Sequence, residues 1–288
     1  MTTRLVARRL LVTAGLFAAC GAALVWVSFF AALAEGAASK ASVKAVLDFH
    51  QVEKILARAV PDIEAAMAKR KKEVTVPASH EKRVLELARR IYPARNLYKT
   101  LQVAYTKAIT LENLESHYKW QTGPKGIKMR RALEDGWAVG PADHLKYVNG
   151  EGTIVLKANR KNALESFVRE WQLDLVGATV KGGADFAVFV GLNASVPIDN
   201  RDSRTYLKDK IDPRITGYRP EVGVGFGNLS AYAFREMKNA EIDDFVSYGT
   251  TSVAQAHTKA LIKAIGSTMD AAASTLEQQV IKASKPSP

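Results

Sequence analysis

The sequence predicts an all-α protein: an N-terminal transmembrane helix followed by two related helical repeats packed as helix–turn–helix corners. Three observations carry this expectation. Residues 10–34 form an apolar run without a charge. Beyond residue 40, apolar residues recur every three or four positions, and strand-like alternation is missing. Two blocks, beginning at Ile109 and Met237, repeat the same pattern at one fixed offset. The 288 residues are 47% hydrophobic and 24% charged, a globular composition with enough chain for a core that needs no staple. The single cysteine, Cys20, excludes an internal disulfide framework and a cysteine-based zinc site.

The expected organisation is a cytoplasmic tail over 1–9, a transmembrane or signal segment over 10–34, and a first helical repeat over 40–139. A linker over 140–158, a second, divergent repeat over 159–283 and a tail over 284–288 follow. A helix over 10–34 spans roughly 37 Å, longer than a hydrocarbon core of about 30 Å. Arg4, Arg8 and Arg9 precede it with no acid, so the positive-inside bias leaves the N-terminus in the cytoplasm and exports the rest. The alternative is a cleavable signal with Ala32-Leu33-Ala34 as its processing site. A signal's apolar core is usually 7–15 residues, which favours the uncleaved anchor.

In 43–68, Val46, Phe49, Val52, Leu56, Val60, Ile63 and Met67 share helical spacing. Pro77 breaks the pattern, and Ser79 starts a helix with Val84, Leu87, Ala88 and Ile91 on one face. Pro93 interrupts again. A helix over 94–109 groups Leu97, Leu101, Ala104, Tyr105 and Ala108, and Thr110 opens a short helix over 111–121. The turn at 121–126 leads into a further helix toward Asp135. Glycines and Pro141 mark 140–152 as a boundary, with 153–156 a short candidate strand. Helical spacing returns over 160–194. Pro197, Pro213 and Pro220 predict a loop with a short helix over 196–220, and two helices close the chain over 238–283.

The net charge is +12, from 41 Lys+Arg and 29 Asp+Glu. Residues 35–150 hold 21 basic and 13 acidic residues, whereas 151–288 hold 17 and 16. The basic N-terminal half points to anionic lipid or an envelope protein as partners, in addition to the membrane reached through 10–34. No nucleic-acid partner is expected, because the basic half is exported.

With Ile109 set on Met237, Trp120 falls on Tyr248, Thr122 on Thr250 and Gly126 on Ala254. The block resembles a helical domain of unknown function from exported proteins of Gram-negative bacteria. Its hallmark is Leu-[Ser/Thr]-x-x-Glu-Leu, then Phe-Tyr-x-Ser-Pro-x-Gly. Ile109, Thr110 and Leu114 match the entry, and Trp120, Pro124 and Gly126 match the turn. Asn113, Gln121 and Gly123 depart from it. The second copy keeps Glu241, Ile242, Tyr248 and Thr251 but lacks the proline and the glycine. The resemblance implies an all-helical envelope protein and brings no activity with it. These residues also make sense as helix starts. Thr110 is placed to cap, Glu241 to reach back to a free amide, Gly123-Pro124 to open a helix, and Gly126 to admit a close neighbour.

The five histidines, His50, His80, His117, His144 and His257, include no pair at helical ligand spacing. Gly223 to Gly227 lack nucleotide-loop spacing. Asp243/Asp244, Asp199/Asp202 and Asp209/Asp212 match no calcium loop. No catalytic residue, metal ligand or cofactor is therefore expected. The function expected is a membrane-anchored, non-enzymatic interaction or structural module on the periplasmic side of the inner membrane. The alternative location is soluble, periplasmic or secreted, after cleavage. The alternative activity is an envelope hydrolase assembled from distant residues, with His117 and Glu112 or Glu115 as imagined members.

Overall fold

The computed structural model describes residues 42–73, 77–149 and 157–284. The tail 1–9, the apolar run 10–34, the candidate strand 153–156 and the tail 285–288 lie outside the described residues. Those from Val43 onward form one compact unit, all helical and with no strand among the described residues. The helices are α1 (42–49), α2 (Val52–Leu56), α3 (Ala59–Glu73), α4 (Ala78–Ile91), α5 (Ala94–Ala108), α6 (Leu111–Thr122), α7 (Pro124–Ala138) and α8 (Pro141–Val148). Then come α9 (Ala158–Glu170), α10 (Leu173–Ala194), α11 (Arg204–Ala233), α12 (Asn239–Gly249) and α13 (Ser252–Ser284).

The two central helices are α10 and α13. Helix α10 packs against α3, α11 and α13, and α13 also packs on α4, α5 and α6. By length and hydropathy α10 is apolar enough to cross a membrane, but 72% of its apolar window is buried inside the protein, so it is the core helix of this unit. Its small residues make this possible. A Cβ on Gly182 would stand 2.5 Å from Ile215 Cγ1 of α11, and one on Gly183 would stand 2.6 Å from Met269 Cβ of α13. The neighbouring helices approach through these gaps.

Two expectations change. The stretch 140–158 was expected as a linker, yet α8 forms within it and packs on α11. Pro141 stands in its first turn, where proline's missing N–H is no loss, and Asp143 Oδ2 accepts a bond from Gly140 N at 3.3 Å. The expected loop over 196–220 is instead a 3-10 turn, Ile198–Asn200, and then α11, which runs through Pro213 and Pro220. Both prolines are exposed, as are Asp209 and Thr216, whose carbonyls lose their helical donors. That face is open to solvent, where a carbonyl without a helical donor costs little, while Leu207, Ile211, Phe226 and Leu229 hold the opposite face in the core.

Candidate metal centre

The first corner is built from its caps inward. Thr110 Oγ1 accepts from Asn113 N at 3.3 Å at the start of α6, and Pro124 opens α7 after Gly123. A Cβ on Gly126 would lie 2.4 Å from Trp120 O and 2.5 Å from Gln121 Cα. Only glycine lets α7 leave α6 at this angle. The face of α6 turned inward carries Leu114, His117 and Gln121, one residue per helical turn. Glu112 and Glu115 lie on its exposed side, away from His117.

The second corner starts in a similar way. Glu241 Oε2 accepts from Lys238 N at 2.9 Å, and Thr251 Oγ1 accepts from Ala254 N at 3.3 Å at the start of α13. Ile242 is fully buried. Lys125 and Lys128, both exposed, pair with Asp244 and Glu241 across the two corners. Trp120 and Tyr248, which share one position in the two blocks, stack with centroids 3.8 Å apart and planes 4° from parallel. Each is half-buried.

Behind this stack three histidines meet. His117 comes from α6, and His257 from the face of α13 that also buries Ala254 and Leu261. His50 follows α1, where the chain turns through Gln51 at φ 53°. A left-handed non-glycine residue is uncommon. A second one, Gln172 at φ 48°, follows Trp171, whose ring lies 5.3 Å from that of His50. Both breaks aim the preceding ring into the same space.

All three histidines are buried, and one ligand nitrogen from each lies within 4.8 Å of the others. His50 Nε2 is 3.2 Å from His117 Nε2. The other nitrogens are held from behind. Tyr248 Oη is 2.9 Å from His117 Nδ1, and Tyr105 Oη is 2.7 Å from His257 Nδ1. The His117 and His257 rings stack at 4.1 Å. Gln121 Nε2 also lies 3.3 Å from His50 Nε2. A ring nitrogen offers one hydrogen or one lone pair, so His50 Nε2 cannot serve both neighbours at once.

Burial keeps the three rings neutral. Desolvation pushes His50 down to about 3. It also holds His117 and His257 well below the usual range, with repulsion between the histidines adding to it. Burial pushes the Tyr105 and Tyr248 hydroxyls upward, so they too stay uncharged. No carboxylate joins the group among the described residues. The site is three buried neutral imidazoles with ring nitrogens close together, and the neutral ring is the protonation state a metal requires.

His144 behaves differently. Its Nε2 donates to Gly136 O at 2.8 Å, as a satisfied core histidine does. The paired aspartates at 199/202, 209/212 and 243/244 are all exposed and do not converge. Gly223 to Gly227 lie inside α11. The expectation of no metal ligand rested on local spacing, whereas these three histidines come from three separate elements and meet in the fold. The signal that finds them is burial. Each sits on an apolar face, beside Phe49, Leu114 or Leu261. No protein-family model, curated protein or solved structure matches this chain.

Proposed function

We propose that this chain binds a transition-metal ion through His50, His117 and His257. The observation that carries it is the set of three buried, neutral imidazoles with ligand atoms within 4.8 Å of one another. Metal–nitrogen bonds of about 2.0–2.1 Å put ligand nitrogens roughly 3.4 Å apart, so closure needs the nitrogens to approach by about 1.5 Å and the His257 ring to turn out of its stack on His50 and His117. Binding through Nε2 places the hydrogen on Nδ1, where the Tyr105 and Tyr248 oxygens accept it. Such outer partners fix tautomer and ring orientation. The metal also resolves the competing claims on His50 Nε2.

Imidazole suits zinc, copper, iron and nickel. The charge balance favours copper(I). With no carboxylate in the group, a dication carries an idealised burial cost about four times that of a monocation of equal size. The N-terminal charge asymmetry supports a domain on the periplasmic side of the inner membrane, anchored by 10–34. Equal offsets between the starts of α6 and α12, and of α7 and α13, support a divergent duplication in which each copy contributes a histidine or its tyrosine partner.

The test is metal uptake by the full chain, purified in detergent without an affinity tag. Copper(I) is titrated against a competing chelator, with zinc(II) in parallel. One equivalent of copper(I) should bind, and His117→Ala or His257→Ala should weaken it more than 100-fold while His144→Ala leaves it unchanged. Zinc binding alone would keep the site and replace the metal. Binding that survives both alanine variants would refute the assignment. A non-enzymatic interaction module of the envelope is the second reading, favoured by the exposed basic residues of the N-terminal half. It predicts a partner captured from solubilised membranes whether or not metal binds.

A further inference from the structure

Beside His50 the core holds a cavity of about 20 Å³, walled in part by Met129, Leu133, Phe167, Trp171 and Ser230. Ser230 is fully buried on α11, and its Oγ has no hydrogen-bond partner. A buried hydroxyl left unpaired costs about 1–3 kcal/mol. Native proteins keep such groups where a bound water or ligand satisfies them. A space of this size holds a molecule of one or two heavy atoms, since a single water needs roughly 10–15 Å³ on the same measure.

A second cavity, of about 130 Å³, lies next to the first. Ile55, Trp137, Phe226 and Leu229 wall both, so one layer of side chains separates them. Arg58, Asp62, Lys181 and Glu221 also line the larger cavity, and the exposed Arg58 and Glu221 mark its mouth. Beyond these charged groups and the buried His144, the layer shared by the two cavities (Ile55, Trp137, Phe226 and Leu229) is apolar. An ion would shed its hydration to pass it, at a cost of several kcal/mol, whereas an uncharged diatomic would not. A passage between the two cavities therefore requires side-chain rotation only within this shared layer.

We propose that this passage admits a small uncharged ligand of the diatomic class, such as dioxygen, nitric oxide or carbon monoxide. The ligand binds as an added ligand to the metal held by the three histidines, and Ser230 Oγ donates a hydrogen bond to it. The inference rests on the metal-binding reading above. No bond within the ligand is broken, and no electron leaves the site in the step proposed.

The test uses the full chain in detergent, loaded with copper(I) under anaerobic conditions and exposed to carbon monoxide. Infrared spectroscopy should show one bound C–O stretch per copper. Ser230→Ala should move that band upward, because a hydrogen bond to the ligand oxygen lowers it. Leu229→Phe, which fills the separating layer, should slow carbon monoxide uptake at least 10-fold. Trp137→Leu should speed it, and serves if the phenylalanine variant does not fold. Stoichiometric copper without a C–O band overturns the passage and leaves the metal site standing. A band insensitive to Ser230→Ala and to both layer variants also overturns the passage. Failure of the protein to take up copper(I) overturns the passage as well, and the zinc titration then reports whether the histidines bind metal at all.

Discussion

Two buried polar clusters in this molecule handle charge in opposite ways. On α10, Asp185 is 6% exposed, and its Oδ2 accepts from Tyr218 Oη at 2.6 Å and from Arg214 Nη1 at 3.4 Å. The Tyr218 hydroxyl is pushed up to about 12, first by burial and then by its bond to Asp185. Arg214 also lies over the Phe189 ring at 5.3 Å. Here an acid has gone inside with its countercharge and hydrogen bonds in place. The three histidines went inside without one, and they answer burial by losing their charge. A compensated charge makes a finished structural unit. Neutral rings that hydrogen-bond only to one another and to uncharged neighbours form the group proposed above to take up a cation.

The largest effect should appear on acidification of the metal-free protein. The unfolded chain binds a proton at each histidine near pH 6.5, while folded His50 resists until about pH 3. Below pH 6.5 the unfolded state therefore holds more protons, and stability falls as pH falls. Each depressed histidine contributes about 1.4 kcal/mol per pH unit. His50 alone removes up to about 2.7 kcal/mol by pH 4.5, and His117 and His257, also held below their usual range, add to it in the same direction, against a domain's usual 5–15 kcal/mol. Urea midpoints at pH 7.0, 5.5 and 4.5 read this directly, and His50→Gln should flatten the slope. An unchanged midpoint between pH 7 and 5 would mean that the histidines are not buried as described.

How much of this was legible in sequence follows the same division. Helix starts are local chemistry, so Thr110, Gly123, Pro124, Gly126, Glu241 and Thr251 could be placed from their neighbours alone. The histidine centre is not local. His50, His117 and His257 meet only because α1, α6 and α13 pack on one another, and no spacing along the chain encodes that. The prolines of α11 misled for a related reason. A proline on a solvated face releases a carbonyl that water takes up, and the sequence does not say which face is wet.

Trp120→Ala is the next largest change. The ring is half-buried, covers the histidines and stacks on Tyr248. A cost of about 2–3 kcal/mol follows, somewhat below that of a fully buried tryptophan. Water admitted to His117 should also weaken the acid sensitivity. Chemical denaturation at two pH values separates the two effects. A full loss of stability at pH 7 with no change in the acid slope would show that Trp120 packs the corner without shielding the imidazoles.

Asp185→Asn should cost about 1–3 kcal/mol, because the amide keeps a bond to Tyr218 but leaves Arg214 without its countercharge. Copper(I) affinity should be unaffected, as the two clusters share no residue. A melting curve and a chelator titration on one preparation test both halves. A parallel loss of affinity would show that the clusters are coupled through α10, against the division drawn between them.

The smallest effect should come from a charge pair that is not buried. Lys125 Nζ lies 2.8 Å from Asp244 Oδ1, with the side chains 60% and 45% exposed. It joins α7 to α12 with good geometry, so a contact list would rank it beside the Asp185 cluster. Water and salt screen it, and holding two long side chains in one arrangement costs entropy. Lys125→Ala should therefore shift stability by less than about 0.5 kcal/mol. Melting at low and high ionic strength supplies the check, since a real contribution from the pair would shrink as salt rises. A salt-sensitive loss above about 1 kcal/mol would mean that the two corners are held together at their wet edge as well as through their buried rings. Burial would then no longer be what separates the charges that matter from those that do not.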